Sequence, residues 1–136
     1  MLASLVISGI LASNMARVYP LRRKSTLALR QRRRALLGAL VLPPAIIRAS
    51  VVERFGTCGK ANCACHRGKK HGPYYYLTQC LAPGHMQKFL LKSAAARQAA
   101  RAATTAFNDF YEGLEELSQI NTELLRRGEP LTGPAA

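Results

Sequence analysis

The residues able to do chemistry are concentrated in one stretch of fourteen positions, residues 58–71, which holds three cysteines and two histidines. Zinc prefers thiolate and imidazole ligands, four of them in a tetrahedron. The stretch therefore has one more candidate ligand than a zinc ion needs, and we predict a Cys/Cys/Cys/His site. The favoured ligands are Cys58, Cys63, Cys65 and His71.

The choice between the two histidines decides the fourth ligand. His66 adjoins Cys65, and neighbouring residues seldom both reach one tetrahedral ion without strain. His71 is further along, after Gly68, a residue that lets the chain fold back. We favour His71 and keep His66 as the alternative.

A structural role for the metal is the prediction, and the protein is expected not to be an enzyme. A catalytic zinc needs an open coordination position and a nearby general base, and Glu53 is the only carboxylate in the vicinity. Disulfides are not expected in a basic protein without a signal peptide. A redox or metal-handling role for the thiols is a further hypothesis, and Cys80 is read as a separate, buried thiol.

Basic charge dominates the first two-thirds of the chain, whose net charge is +13. Residues 1–50 hold nine basic and no acidic side chains, whereas residues 93–136 hold four basic and six acidic ones. This pattern favours nucleic acid as the partner, because its phosphates are the commonest polyanion, with an anionic membrane surface or an acidic protein as the alternatives. One carboxylate before Asp109 is too few for a metal-dependent nuclease or transposase site. The predicted nucleic-acid-binding cations are Arg30, Arg32, Arg33, Arg34, Lys60, Arg67, Lys69 and Lys70.

Three consecutive tyrosines follow the cysteine-rich stretch. In a strand, Tyr74 and Tyr76 share one face and Tyr75 lies on the other. One interpretation is an ordinary amphipathic strand that packs under helices. The other adds Tyr74 and Tyr76 to the nucleic-acid site, either as a stacking platform for single strands or within a sheet laid in a duplex groove.

The elements that position these residues predict an α+β fold. Residues 22–42 form a basic amphipathic helix that ends before Pro43 and Pro44. Residues 50–91 form a small three-stranded antiparallel sheet with the zinc knuckle, including a turn at Pro83-Gly84. Residues 93–127 form a long C-terminal helix or helix pair, with Ser93 as its N-cap.

The C-terminal helix carries one apolar stripe with a single polar member. Gly113 weakens its middle and marks a bend or a break. The stripe would cover the sheet, pair with the N-terminal helix, or bind a second copy or a recombinase- or transposase-type partner. A protein–protein interaction module, acting as a homodimer or docked on such a partner, is thus the alternative function. The stripe consists of Phe107, Phe110, Leu114, Leu117, Asn121 and Leu124.

Residues 22–127 are expected to form a single domain between two weakly structured ends. Residues 1–21 are interpreted as flexible or as the product of a mis-called start, because Met15 opens a more ordinary N-terminus. The tail 128–136 is expected to be disordered. No apolar run has the length and continuity of a membrane span, so the protein is expected to be cytoplasmic.

The cysteine-rich stretch resembles a family of small uncharacterised bacterial and phage proteins with the signature CGKxxCxCxxGxxHGPYYYL. The matching residues are Cys58-Gly59-Lys60, Cys63, Cys65, Gly68 and His71 through Leu77. The resemblance is tight over 50–78 and loose over 30–127. It implies a domain of unknown function, often found near mobile elements, in which Cys58, Cys63, Cys65 and His71 belong to one shared site. Cys80 departs from the family pattern, which usually has a polar residue there.

Overall fold

A computed structural model describes residues 17–132 and confirms the α+β class. The C-terminal element is one continuous helix rather than a pair. Among the described residues, none of the helices combines the length and the apolar character that a membrane span needs. The elements in chain order are α1 (Thr26–Ala39), β1 (Ser50–Gly56), β2 (His71–Ala82), β3 (His85–Leu90) and α2 (Ala94–Arg126).

Helix α1 is shorter at both ends than the predicted 22–42. Its N-cap is Ser25, whose hydroxyl accepts a hydrogen bond from the Ala28 amide at 3.1 Å. The preceding Leu21–Arg23 forms a short 3-10 turn instead. At the other end the helix stops at Ala39, ahead of the two prolines. The N-cap predicted for α2 is confirmed, because the Ala96 amide donates to the Ser93 hydroxyl at 3.0 Å.

The sheet is antiparallel with the order β1-β2-β3. Val51 pairs with Leu77, and Leu77 pairs with Phe89, so β2 is the central strand. The predicted turn at Pro83-Gly84 connects β2 and β3, and Gly84 has a φ of 72° there. An irregularity in the β1–β2 ladder follows Arg54, next to the cysteine-rich loop.

The structure divides into two compact units, and the long helix contributes to both. The first unit, called the helical unit below, contains the chain up to Pro44 together with the chain from Asn108 onward. The second unit, called the sheet unit, is Ala45–Phe107. Its core is small: Leu77, Leu91 and Ala100 form one buried cluster, and Cys65 and Ala103 are buried as well.

The core of the helical unit is formed by α1 and the second half of α2. Leu29 and Ile120 are fully buried, and Leu36 and Leu124 lie beside them. Leu114 is 43% exposed although it belongs to the predicted apolar stripe. The buried face of α2 is thus displaced from that stripe.

Glutamate and glycine residues on the buried face of α2 explain the displacement. Glu116 and Glu123 are buried on this face, where Arg32 and Arg126 pair with them. Gly113 lies inside the continuous helix, and a Cβ at this position would be 2.6 Å from the Leu40 Cδ2 atom. Gly113 therefore makes room for Leu40 rather than breaking the helix.

Several N- and C-terminal predictions concern residues outside the described range, namely 1–16 and 133–136. Within the described part of the tail, Glu129 forms an ion pair with Arg30. Leu131 packs against the helical core, and its carbonyl oxygen accepts a hydrogen bond from Arg33 Nη2 at 2.7 Å.

Candidate metal centre

The strand pair β1–β2 brings the two ends of the cysteine-rich loop together. Gly56, the last residue of β1, pairs with His71, the first residue of β2. The loop between them contains Cys58 and Cys63 and a short 3-10 turn, Ala64–Arg67. The ladder thus holds one imidazole in place while the loop folds the thiols towards it.

Cys58, Cys63, Cys65 and His71 form a cluster whose ligand atoms all lie within 4.8 Å of one another. The Cys58 and Cys65 Sγ atoms are 3.6 Å apart, and Cys63 Sγ lies 3.3 Å from His71 Nε2. With zinc–ligand bonds of about 2.0–2.3 Å, a tetrahedron places its ligand atoms roughly 3.5–3.8 Å apart. The cluster therefore has the dimensions needed to hold a metal ion.

The structure separates the two histidines that the sequence left as alternatives. His71 is a member of the cluster and is partly buried. His66 is exposed, and its Nε2 atom lies 3.0 Å from the carbonyl oxygen of Lys60. Gly68, with a φ of 110°, caps the 3-10 turn and allows the chain to return to His71, as expected.

Cys80 does not belong to the cluster. Its thiol donates to the Ala82 carbonyl oxygen at 3.3 Å, at the β2–β3 end of the sheet. Cys80 lies nine positions after His71 on β2, which corresponds to about 30 Å of strand.

Hydrogen bonds within the loop prepare the cluster for a cation. The Cys58 amide donates to Cys65 Sγ at 3.3 Å, which favours a thiolate at Cys65. The pKa of Cys63 is lowered to about 7, chiefly by a hydrogen bond from the Cys65 backbone and then by the side chains of Cys65, Cys58 and His71.

Cys65 behaves differently because it is the most buried member. The Cys58 backbone amide acts to lower the pKa of Cys65, but burial and the nearby thiols of Cys63 and Cys58 outweigh it, so the pKa is raised. Without a metal, the three sulfurs therefore cannot all ionise readily. A divalent cation would remove this repulsion and hold three thiolates together.

Gly72 is a residue of the site whose role the sequence reading did not identify. A Cβ there would lie 2.9 Å from the Arg54 carbonyl oxygen and 3.0 Å from Phe55 Cδ1. Its φ of +131° is also rarely adopted by other residues. Gly72 lies between a metal ligand and Pro73, and a glycine in a strand often marks close approach of another backbone. This position in the sequence was the signal that could have predicted its role.

The predicted nucleic-acid-binding residues fall into two groups. Lys60, Arg67, Lys69 and Lys70 are all exposed on the cysteine-rich loop, and Tyr74 and Tyr76 lie on β2 next to it. The four arginines of α1 lie in the helical unit instead. Six of the ten thus belong to the sheet unit and four to the helical unit.

Three of the four arginines are bonded within the helical unit. Arg32 Nε and Nη2 donate to the two carboxylate oxygens of Glu116 at 2.6 and 2.7 Å. Arg33 Nε donates to Asn121 Oδ1 at 2.7 Å, and Arg30 pairs with Glu129. Arg34 is exposed, and no hydrogen bond or ion pair of its side chain is present within residues 17–132.

The fold and the cluster together define the class: a small basic α+β protein with a Cys3His candidate metal centre on a three-stranded sheet. The model of one family, described as Domain of unknown function (DUF6788), matches residues 26–79. The match covers under half of the chain but includes α1, β1 and all four residues of the cluster. Neither a curated protein nor a solved structure matches the chain.

Proposed function

We propose that the protein is a small, non-catalytic accessory protein that binds zinc as a structural ion and binds nucleic acid through the sheet unit. The observation that carries the proposal is the distribution of charge between the two units. Ala45–Phe107 contains ten Lys and Arg side chains and a single carboxylate, Glu53. Glu53 makes no ion pair with any described residue.

Zinc is the metal that suits this donor set. Three thiolates and one imidazole in a tetrahedral arrangement are typical of zinc, whereas magnesium and calcium prefer oxygen ligands. Four protein ligands leave no open position for a substrate or a water molecule, which supports a structural ion. A reducing compartment such as the cytoplasm would keep the thiols available for the metal.

The small core of the sheet unit explains why a metal would be needed. Cys65 is the only residue of the cysteine-rich loop among the buried apolar side chains of the described structure. This loop has no apolar cluster of its own. A metal bound by four residues of this loop and β2 would replace the missing core.

Nucleic acid is favoured over an acidic protein because the cations of the sheet unit are numerous, exposed and largely free of carboxylates. Four exposed cations of the loop are interspersed with the metal ligands along the chain: Lys60, Arg67, Lys69 and Lys70. A chain of phosphates offers one negative charge per nucleotide along such a surface.

The test combines metal analysis with a salt titration. Purified full-length protein is expected to contain one zinc per chain and to bind a labelled oligonucleotide in fluorescence anisotropy. If about five phosphates are contacted, log K should fall with log salt with a slope near −4 on duplex DNA and somewhat shallower on single strands. Binding that does not change between low and physiological salt would contradict the proposal.

A second candidate function is favoured by a groove in the helical unit. Leu125 is 62% exposed and Leu114 is 43% exposed, and both line this groove with Asn121 and Leu131. Docking of a second copy or of a recombinase- or transposase-type partner would cover these side chains. This alternative expects a dimer in light scattering at micromolar concentration, and a monomer that Leu125→Ser leaves unchanged would argue against self-association.

A further inference from the structure

Side chains of paired residues point to the same side of the sheet, so the strand pairing assigns each residue to one of two faces. The two faces differ in composition. On one side, Val51, Tyr75 and Leu77 pack with the first half of α2. The other side is called the outer face below. Its defining residues are Arg54, Tyr74, Tyr76, Met86, Lys88 and Leu90.

Apolar and aromatic side chains of the outer face are accessible to solvent. Tyr74 is 42% exposed, Met86 60% and Leu90 38%. Several exposed apolar side chains on one sheet face mark a binding surface more often than do single exposed apolar residues.

Charge identifies the kind of partner. Arg54 pairs with Tyr74, and Lys88 lies with its Nζ atom 4.2 Å from the centre of the Tyr76 ring. Glu53 pairs with Tyr75 and therefore points to the opposite side. The outer face thus combines aromatic rings and cations without a carboxylate, which complements a ligand with both flat bases and negative charge.

We infer that the outer face binds single-stranded nucleic acid, with unpaired bases stacked on Tyr74 and Tyr76 and phosphates bound by Arg54, Lys88 and the loop cations. The inference deepens the proposed nucleic-acid binding and rests on it. Aromatic side chains on an open sheet stack on bases that are not already stacked on one another, as in RNA-recognition domains. Two positions apart on one strand, the rings are about 6.6 Å apart along the strand, which leaves room for one base on each.

Duplex DNA fits this surface less well. The bases of a duplex are stacked on each other and present only their edges in the grooves. The major groove is about 12 Å wide and admits a helix or a two-stranded ribbon. Three strands already span about 10 Å between the axes of the outer two, before side chains are added. A duplex would therefore contact the loop cations without using the tyrosine rings.

Lys88 can exchange its contact with the Tyr76 ring for a contact with a phosphate of the ligand. An exposed cation–π contact is weaker than the stacking of a base on an aromatic ring. A base that takes over the Tyr76 ring would displace the ammonium group, which then becomes available to a phosphate. The loop with Lys69 and Lys70 lies at the Tyr74 end of the sheet, so cations are present on both sides of the rings.

The experiment measures binding of full-length, zinc-loaded protein to three labelled probes of equal length: twelve-nucleotide oligothymidine, twelve-nucleotide oligouridine and a twelve-base-pair duplex. Both single strands should bind more tightly than the duplex. Tyr74→Leu and Tyr76→Leu should each weaken single-strand binding about tenfold and change duplex binding less than twofold. Phe89→Leu is the matched control, because this ring is 51% exposed and lies on the other side of the sheet, paired with Leu77, and it should change neither. A preference between the two single strands would identify DNA or RNA as the natural source.

A measurement on the unmodified rings complements the variants. The chain contains five tyrosines and no tryptophan, so tyrosine fluorescence reports on the rings directly. Oligothymidine should quench it in the wild type, and Tyr74→Phe combined with Tyr76→Phe should remove the quenching while keeping most of the affinity. Zinc content and unfolding temperature verify that each variant is folded.

The outcomes separate this inference from the proposed function. Salt-dependent binding in which the duplex is preferred, or in which the leucine variants weaken all three probes equally, overturns the outer face as a single-strand platform but leaves nucleic-acid binding intact. Absence of binding to every probe at low salt overturns both.

Discussion

The two units of the protein contain equal numbers of Lys and Arg residues but use them differently. In the helical unit, ten cations face six carboxylates, and Arg30, Arg32, Arg126 and Arg127 all take part in ion pairs. In the sheet unit, ten cations face Glu53 alone. A count of basic residues therefore overstates the charge available to a partner, because carboxylates neutralise part of the charge in the helical unit and leave that of the sheet unit unpaired.

The units also differ in what holds them together. The helical unit has a core of leucine and isoleucine side chains, among which Leu29 and Ile120 are fully buried. The sheet unit has a buried cluster of three residues, Leu77, Leu91 and Ala100, and a cluster of four potential metal ligands. We expect the first to depend on packing and the second on a metal.

The largest effect is expected from removal of a metal ligand. Cys65→Ser should abolish stoichiometric zinc binding and unfold the sheet unit, because structural zinc contributes about 10–16 kcal/mol in zinc-finger peptides. The helical signal in circular dichroism should largely persist, and zinc content should fall below one-tenth per chain. Cys80→Ser, outside the cluster, is the matched control and should keep full zinc content. A cooperatively folded sheet in the Cys65→Ser protein would show that the two units do not differ in this way.

A smaller effect is expected from a cavity in the helical core. Ile120→Ala should lower the free energy of unfolding in urea by about 2–5 kcal/mol, because a fully buried side chain is truncated. Zinc content should not change. Leu37→Ala, at a position 54% exposed, serves as the control with a change below about 0.5 kcal/mol. Equal losses in the two variants would disprove the assigned core.

Loss of an internal ion pair is expected to matter less again. Arg32→Gln leaves the buried Glu116 carboxylate without its bidentate partner and should cost about 1–2 kcal/mol in unfolding free energy. Affinity for oligonucleotides should remain within about twofold, since this arginine is used internally. Arg34→Gln, at an exposed position of the same helix, is the control for stability. A tenfold loss of binding in Arg32→Gln, with no loss of stability, would show that α1 contributes to nucleic-acid binding.

The smallest effect concerns acid stability. Arg126 and then Arg127 lower the pKa of Glu123 to about 2 from an ordinary value of 4.5. Protons thus bind more tightly to the unfolded chain, so this carboxylate stabilises the fold above pH 4.5, and the contribution is lost as the pH falls towards 2.

The comparison of wild type with Glu123→Gln between pH 2 and 6 tests this expectation. The wild type should be the more stable protein near pH 6, and the difference should shrink as the pH decreases. Unfolding of both proteins is followed by helical circular dichroism. Acid release of the metal affects both equally, so it cancels in the difference between their stabilities. Glu112→Gln, at an exposed position of α2, should show no such trend. A difference that stays constant over this range would contradict the assigned ion pairs.

Local signals in the chain were sufficient to predict most of the fold. Alternating and β-branched residues predict the three strands, Pro83-Gly84 predicts their hairpin, and Ser93 predicts the start of α2. The predicted start of α1 is four residues early, because Ser25 is a cap that the arginine-rich run obscures. Leu114 of the predicted stripe is exposed, because Glu116 is buried in its pair with Arg32 and Gly113 packs against Leu40, and an apolar pattern selects neither residue.

The sequence by itself determined the composition of the candidate metal centre, because thiol and imidazole ligands within fourteen residues have few other uses in a basic chain. Only the tertiary structure decided that His71 rather than His66 joins the three cysteines, since the β1–β2 ladder positions His71 and turns His66 towards the Lys60 carbonyl. It also decided which cations remain free. Arg32 pairs with Glu116, which is 84 positions away in the sequence, and no local sequence pattern predicts a contact between residues so far apart.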